Sequence, residues 1–170
     1  RFHHLEFWCS DATQTSHRFT WGMGMPLVAK SDMSTGNNTY CSHVVKSHEV
    51  VFMFTAPYCN SEEDRQGKGP VPHQGFDQDM AHAFVKKHGL AVRAVGIRVA
   101  NSEEAYNVSV ANGAKGVRSP YTSVDQASKK TLVISEIQLF DDTVIRWVSG
   151  DFDGPGLPNY EKQNGFEDLN

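Results

Sequence analysis

The order of apolar and polar positions in this chain repeats itself. Residues 2–56 and 91–149 each read as strand, helix, strand, strand, strand. In the first stretch, residues 2–9 alternate, so that Leu5, Phe7 and Cys9 share one face and His4, Glu6 and Trp8 the other. Asp11, with Gln14 three positions on, predicts a capped helix start; that helix is expected to bury Ala12, Phe19 and Met23 and to stop at Gly22-Met23-Gly24. Strands are predicted over 25–31, 39–46 and 50–56, with turn chemistry at 34–38. The second stretch opens on a strand at 91–99, where Val95, Ile97 and Val99 share a face. Asn101, with Glu104 at the capping-box position, starts a helix that Gly113 ends and that is expected to turn Val108 and Ala111 to the sheet. Strands follow over 121–124, 132–139 and 143–149, the last two joined by a tight turn at Asp141-Asp142.

A further helix is predicted between the two modules, over 77–88. Phe76, Met80 and Phe84 recur every four residues, Asp77 caps the start, and Lys86, Lys87 and His88 suit the carboxyl end of the helix dipole before Gly89. Residues 59–74 are polar and rich in Gly and Pro, which reads as a surface loop. Residues 150–158 carry Gly and Pro without periodicity, which reads as a linker. The expected organisation is one domain over 1–149, bridged by the loop and helix at 59–89, then a linker over 150–170. The periodicity by itself implies a mixed α+β domain.

Composition narrows the function classes. With 39% apolar and 21% charged residues in 170, the chain can bury a core of ordinary size. A net charge of -4 with no block of Lys or Arg gives no footprint for nucleic acid, and no run approaches the roughly 20 apolar residues that span a bilayer. Cys9, Cys41 and Cys59 have no C-x-x-C spacing, so free thiols in a reducing compartment are expected. Catalytic signatures are missing: no H-E-x-x-H, no G-x-S-x-G, and no Cys with an assignable His base. His3 alternates away from His4, so the pair is not expected to converge.

Six segments in register resemble one family. They are Arg-Phe-His-His-Leu-Glu-Phe-Trp-Cys at 1–9, Arg-Phe-Thr-Trp-Gly-Met-Gly-Met at 18–25 and Ala-Lys-Ser-Asp-Met-Ser-Thr-Gly-Asn at 29–37. Phe-Thr-Ala-Pro-Tyr at 54–58, His-Gly-Leu-Ala-Val-Arg-Ala-Val at 88–95 and Ser-Val-Ala-Asn-Gly-Ala at 109–114 complete the set. Together they resemble the amino-terminal part of the plant-type 4-hydroxyphenylpyruvate dioxygenases, members of the vicinal-oxygen-chelate superfamily. The resemblance implies paired βαβββ modules in an eight-stranded cupped mixed sheet with helices outside. It also implies a parent enzyme that converts 4-hydroxyphenylpyruvate and dioxygen to homogentisate and carbon dioxide, in tyrosine catabolism and towards plastoquinone and tocopherols. Its Fe(II) would be held by two His and one Glu of a carboxyl-terminal domain, leaving this segment without catalytic residues. The partners implied are that catalytic domain and a second copy in a homo-oligomer, expected to be a dimer. The compartment implied is cytoplasmic, or plastidial in a plant.

In this fold the ligands come from cup-facing positions of the first, fifth and eighth strands, and alternation assigns these to His4, Ala94 and Trp147. One imidazole, a methyl group and an indole cannot hold iron, and adding Glu6 still leaves the set one donor short. His4 is therefore expected to be a hydrogen-bonded core residue, and Trp147 to fill the cup. The alternatives are the equivalent half of a hydroxymandelate synthase, or a free-standing, metal-free module that binds a small ligand.

Overall fold

The computed structural model describes residues 1–58 and 73–163. Among these residues nine strands, numbered along the chain and ending in the two-residue β9 (Glu161–Lys162), form one sheet in the order β6-β7-β8-β5-β1-β4-β3-β2-β9. The first module supplies β1 (Phe2–Trp8), α1 (Ala12–Met23), β2 (Leu27–Ser31), β3 (Tyr40–Ser47) and β4 (Val50–Pro57). After α2 (Gln78–His88), the second supplies β5 (Ala91–Arg98), α3 (Ser102–Ala111), β6 (Gly116–Val124), β7 (Thr131–Phe140) and β8 (Thr143–Gly150). Each module makes the same four-strand order, with its first strand parallel to its last. The two modules join where β1 runs antiparallel to β5. The mixed sheet and its duplicated modules are those expected from the sequence.

The helices begin where the capping chemistry places them. Asp11 accepts from the Gln14 amide, Asp77 from Met80, and Asn101 from both Glu103 and Glu104. On one face of the sheet α1 packs against Phe7, Phe52, Phe54 and Val45 through Ala12 and Phe19. The ring pairs Phe19–Phe54 and Phe7–Phe52 lie 4.6 and 5.4 Å apart, within the range of favourable aromatic contact.

Three local expectations fail. Met23 is exposed, because Gly24 turns left-handed and ends α1 before Met23 reaches the sheet. Val108 is 55% exposed and Ala111 is exposed too, and the sheet side of α3 is Ser102, Ala105, Tyr106 and Ser109. The buried Ser102 hydroxyl bonds the Trp147 carbonyl and the Ser135 hydroxyl, which sets the rotation of that helix. Residues 151–163 do not leave the sheet as a linker. Phe152, Leu157 and Tyr160 are buried against Ala29, Val44, Met53 and Val148, and β9 (Glu161–Lys162) adds to the edge of β2. The Gly and Pro of this segment mark tight turns over a core rather than freedom from it. Of the predicted loop at 59–74, residues 59–72 lie outside the described residues.

Candidate functional site

The face of the sheet opposite α1 and α3 carries the buried charge. Register places His4 opposite Gly96 and Glu6 opposite Ala94 on β1 and β5, Gly96 beside Arg146 on β8, and Arg146 opposite Glu136 on β7. His4, Glu6, Ala94, Glu136 and Arg146 are all at most 2% exposed. Arg146 is the centre: Nε donates to Glu136 Oε1 at 2.7 Å, Nη2 lies 2.7 Å from Glu6 Oε2, and Nη1 meets His4 Nε2 at 3.1 Å. The other Glu6 oxygen accepts from the Thr55 hydroxyl at 2.7 Å, and Thr55 in turn meets Ser42 at 2.8 Å. From the side, His73 brings Nε2 to 3.9 Å from Glu136 and Nδ1 to 2.5 Å from the Tyr121 hydroxyl.

Electrostatics follow from this packing. Burial pushes the Glu136 carboxyl up, but the Arg146 guanidinium outweighs it and holds it down at about 2. Glu6 behaves likewise, below the usual carboxylate range. Burial, with Arg146 beside them, lowers His4 well below its ordinary value and His73 to about 4, so both are neutral imidazoles at neutral pH. Arg146 loses hydration, yet Glu6 and Glu136 raise it above the usual guanidinium range. Because Arg146 can only donate, His4 Nε2 must accept, which puts the His4 proton on Nδ1.

That proton points at His3 Nδ1, 2.7 Å away. The expectation that adjacent histidines diverge is therefore corrected. The pairing of β1 with β5 slips between Phe2 and His4, and this bulge turns the His3 ring towards its neighbour. Of the three expected cup positions, His4 and Ala94 lie on this inner face and Trp147 does not. Trp147 sits opposite Ser135 on the α3 side, half-buried, and Arg146 takes the inner position. An arginine between apolar neighbours reads as a surface residue; two buried carboxylates from other strands are what bring it inside. No local pattern marks Glu136, His73 or Arg146 as interior, since Arg146 meets His4 across 142 residues of chain.

A second cluster lies on the α1 side. Cys41 Sγ is 3.5 Å from His43 Nε2, so a cysteine does have a histidine beside it, contrary to expectation. The signal was present: two residues apart on a strand means the same face. Burial raises the Cys41 thiol to about 11 and lowers His43, so the pair is thiol and neutral imidazole rather than an ion pair. A third cluster, His88, Asp141 and Asp142, is partly exposed, and the Lys87 ammonium sits between its carboxylates at 2.8–2.9 Å.

No protein-family model matches the chain. Among curated proteins, 4-hydroxyphenylpyruvate dioxygenase of Daucus carota is 47% identical over 99% of this chain, and that of Arabidopsis thaliana 44% identical over 88%. Along nearly its whole length the chain is therefore similar in sequence to 4-hydroxyphenylpyruvate dioxygenases. It spans about 38% of the carrot dioxygenase and 33% of the Arabidopsis one. The fold is also that of more distant solved structures. A variant of 4-hydroxymandelate synthase from Streptomyces coelicolor superposes on 96% of this chain with a TM-score of 0.71 at 15% identity. Methylmalonyl-CoA epimerase from Mycobacterium tuberculosis superposes on 87% with a TM-score of 0.56 at 14% identity. At such identities these two speak for the vicinal-oxygen-chelate fold alone. Among the described residues no helix is long and apolar enough to cross a membrane.

Proposed function

We propose that this chain is the non-catalytic amino-terminal part of a 4-hydroxyphenylpyruvate dioxygenase, and that its inner face is a structural centre rather than an active one. The parent enzyme then converts 4-hydroxyphenylpyruvate and dioxygen to homogentisate and carbon dioxide, a step of tyrosine catabolism that in plants leads on to plastoquinone and tocopherols. Identity of 47% to a plant dioxygenase supports this reaction.

The observation that carries the reading is Arg146. A non-haem iron centre needs neutral imidazoles and a carboxylate whose lone pairs converge on one ion, with positions left open for substrate. Here the lone pair of His4 and oxygens of Glu6 and Glu136 are already directed at a guanidinium, and Ala94 offers no donor. The residues do not fit iron. On this reading Fe(II) belongs to a carboxyl-terminal domain of the same polypeptide, which is also this domain's principal partner, and the assembly is a homodimer of the cytoplasm or plastid. Residues 150–170 then lead to that domain, with Phe152, Leu157 and Tyr160 packing over the inner face on the way.

The test compares the 170-residue chain with the longer gene product, each given 4-hydroxyphenylpyruvate, Fe(II) and dioxygen. Homogentisate should come from the longer protein, with oxygen uptake by the short chain at the buffer rate. Homogentisate from the short chain would overturn the proposal.

A further inference from the structure

We propose that the cleft lined by α2 and strands β5, β6 and β8 binds a small monocarboxylate with an aliphatic body, its carboxylate held by Arg93. The proposal does not rest on the oxygenase reading.

The cleft has a volume of about 600 Å3, within the range of small-molecule pockets. Its apolar lining comes from Met80 and Phe84 of α2, Val117 of β6 and Val144 of β8. Arg93 of β5 lines it too, although that residue is only 6% exposed. Its guanidinium lies over the Trp8 ring, 4.7 Å from the ring centre.

Arg93 is a buried cation without a direct counter-ion. Among the described residues no carboxylate pairs with it; Glu136, Glu6 and Asp142 act on it only through space. Each of those three already has a cation of its own. Arg146 holds Glu6 and Glu136 at 2.7 Å, and Lys87 holds Asp142 at 2.8 Å. Arg118 adds a second positive charge 3.7 Å from Glu136, so the two carboxylates of the inner face are balanced without Arg93. Burial accordingly lowers the Arg93 pKa from its ordinary value, and Glu136 offsets only part of that.

The hydrogen bonds of Arg93 show where an anion would enter. Nη1 donates to the Asp142 carbonyl, and Nη2 points at Met80 Sδ, 3.6 Å away. Both partners line the cleft, so the guanidinium fork is turned towards it. A thioether is a weak acceptor, which leaves one edge of a buried cation with a poor partner. A carboxylate that displaces the Met80 sulfur gives that edge a charge-assisted hydrogen bond. The rest of the lining suits a single negative charge. Three cations, Lys87, Arg93 and Lys115, face two carboxylates, Asp141 and Asp142, and Lys87 already holds both of these at 2.8–2.9 Å. The aliphatic body then lies against Met80, Phe84, Val117 and Val144.

The experiment titrates sodium hexanoate into the full-length protein by calorimetry, with a chelator present so that no metal holds the carboxylate. Hexanamide, of the same shape but uncharged, is the control. Saturable binding of one hexanoate per chain is expected, with hexanamide on the order of 10-fold weaker or more. Arg93→Gln should weaken hexanoate by a similar factor, and Arg93→Lys should restore part of the loss, because it keeps the charge without the fork. Lys115→Gln, at an exposed position, should cost about 2-fold. Val117 is also exposed, so Val117→Trp keeps the fold and should block the cleft while Arg93 stays intact. That variant decides the matter should Arg93→Gln fail to fold. No saturable binding, equal binding of hexanamide, or hexanoate binding that Val117→Trp leaves unchanged would each overturn the proposal.

Discussion

The two faces of the sheet are buried to similar depth by opposite chemistry. Beneath α1 the contacts are aromatic and aliphatic, and each ring contributes by leaving water. On the inner face the middle of the sheet holds two carboxylates, two imidazoles and one guanidinium, ringed by Met53, Val44, Ile134 and Leu157. Burying such charges costs more than burying phenyl rings, and the pairing must be nearly complete for the site to break even. The helix-covered face should therefore tolerate loss in proportion to the atoms removed, whereas the inner face should fail when one member goes.

The sharpest way to break that contrast is Arg146→Ala. It strands Glu6 and Glu136 in a dry interior and is expected to cost about 3–5 kcal/mol in urea unfolding. A loss under about 1 kcal/mol would mean that water reaches the carboxylates. Acid should also probe the inner face. His3 and His73 are both lowered to about 4 from the ordinary 6.5, by burial and by nearby arginines, so the folded state binds these protons less readily than the unfolded chain. Their contribution is complete above about pH 6.5 and is lost as the pH falls towards 4. Glu6 and Glu136, both depressed, add a further loss below the ordinary carboxylate value of 4.5. Denaturation midpoints between pH 7 and 4 should fall steadily, and His73→Asn should flatten the slope.

Smaller effects test the packing. A methyl group on Gly96 would come within 2.5 Å of the His4 ring, so Gly96→Ala is expected to cost about 1–3 kcal/mol by turning that imidazole away from Arg146. On the other face, Ser102→Ala removes the hydroxyl that sets the rotation of α3 and should cost about 1 kcal/mol. Val108→Ala, at an exposed position, should change stability by no more than about 0.5 kcal/mol.

The same contrast explains what was legible in the sequence. Alternation and capping residues located both modules, the three α-helices among the described residues and the turn at Asp141-Asp142, because these signals are local and apolar burial is periodic. His4 and Ala94 were placed on the correct face for the same reason. Trp147 was misplaced because a tryptophan looks like the better interior residue than an arginine. The preference reverses only once Glu6 and Glu136, 140 and 10 residues away along the chain, are known to meet it. The return of Phe152, Leu157 and Tyr160 over the core was hidden similarly, since turn residues look alike over a core and in a linker. The convergence of His3 on His4 depends on a one-residue slip in pairing that no periodicity reveals.

The central claim is that Arg146 occupies the inner face as the counter-ion of Glu6 and Glu136. The most direct measurement compares the unfolding free energy of Arg146→Met with that of the triple variant Glu6→Gln, Glu136→Gln, Arg146→Met. The single change should be strongly destabilised, and neutralising both carboxylates should restore most of the loss. If the losses instead add, so that the triple variant is less stable than Arg146→Met, the guanidinium is not what balances those carboxylates.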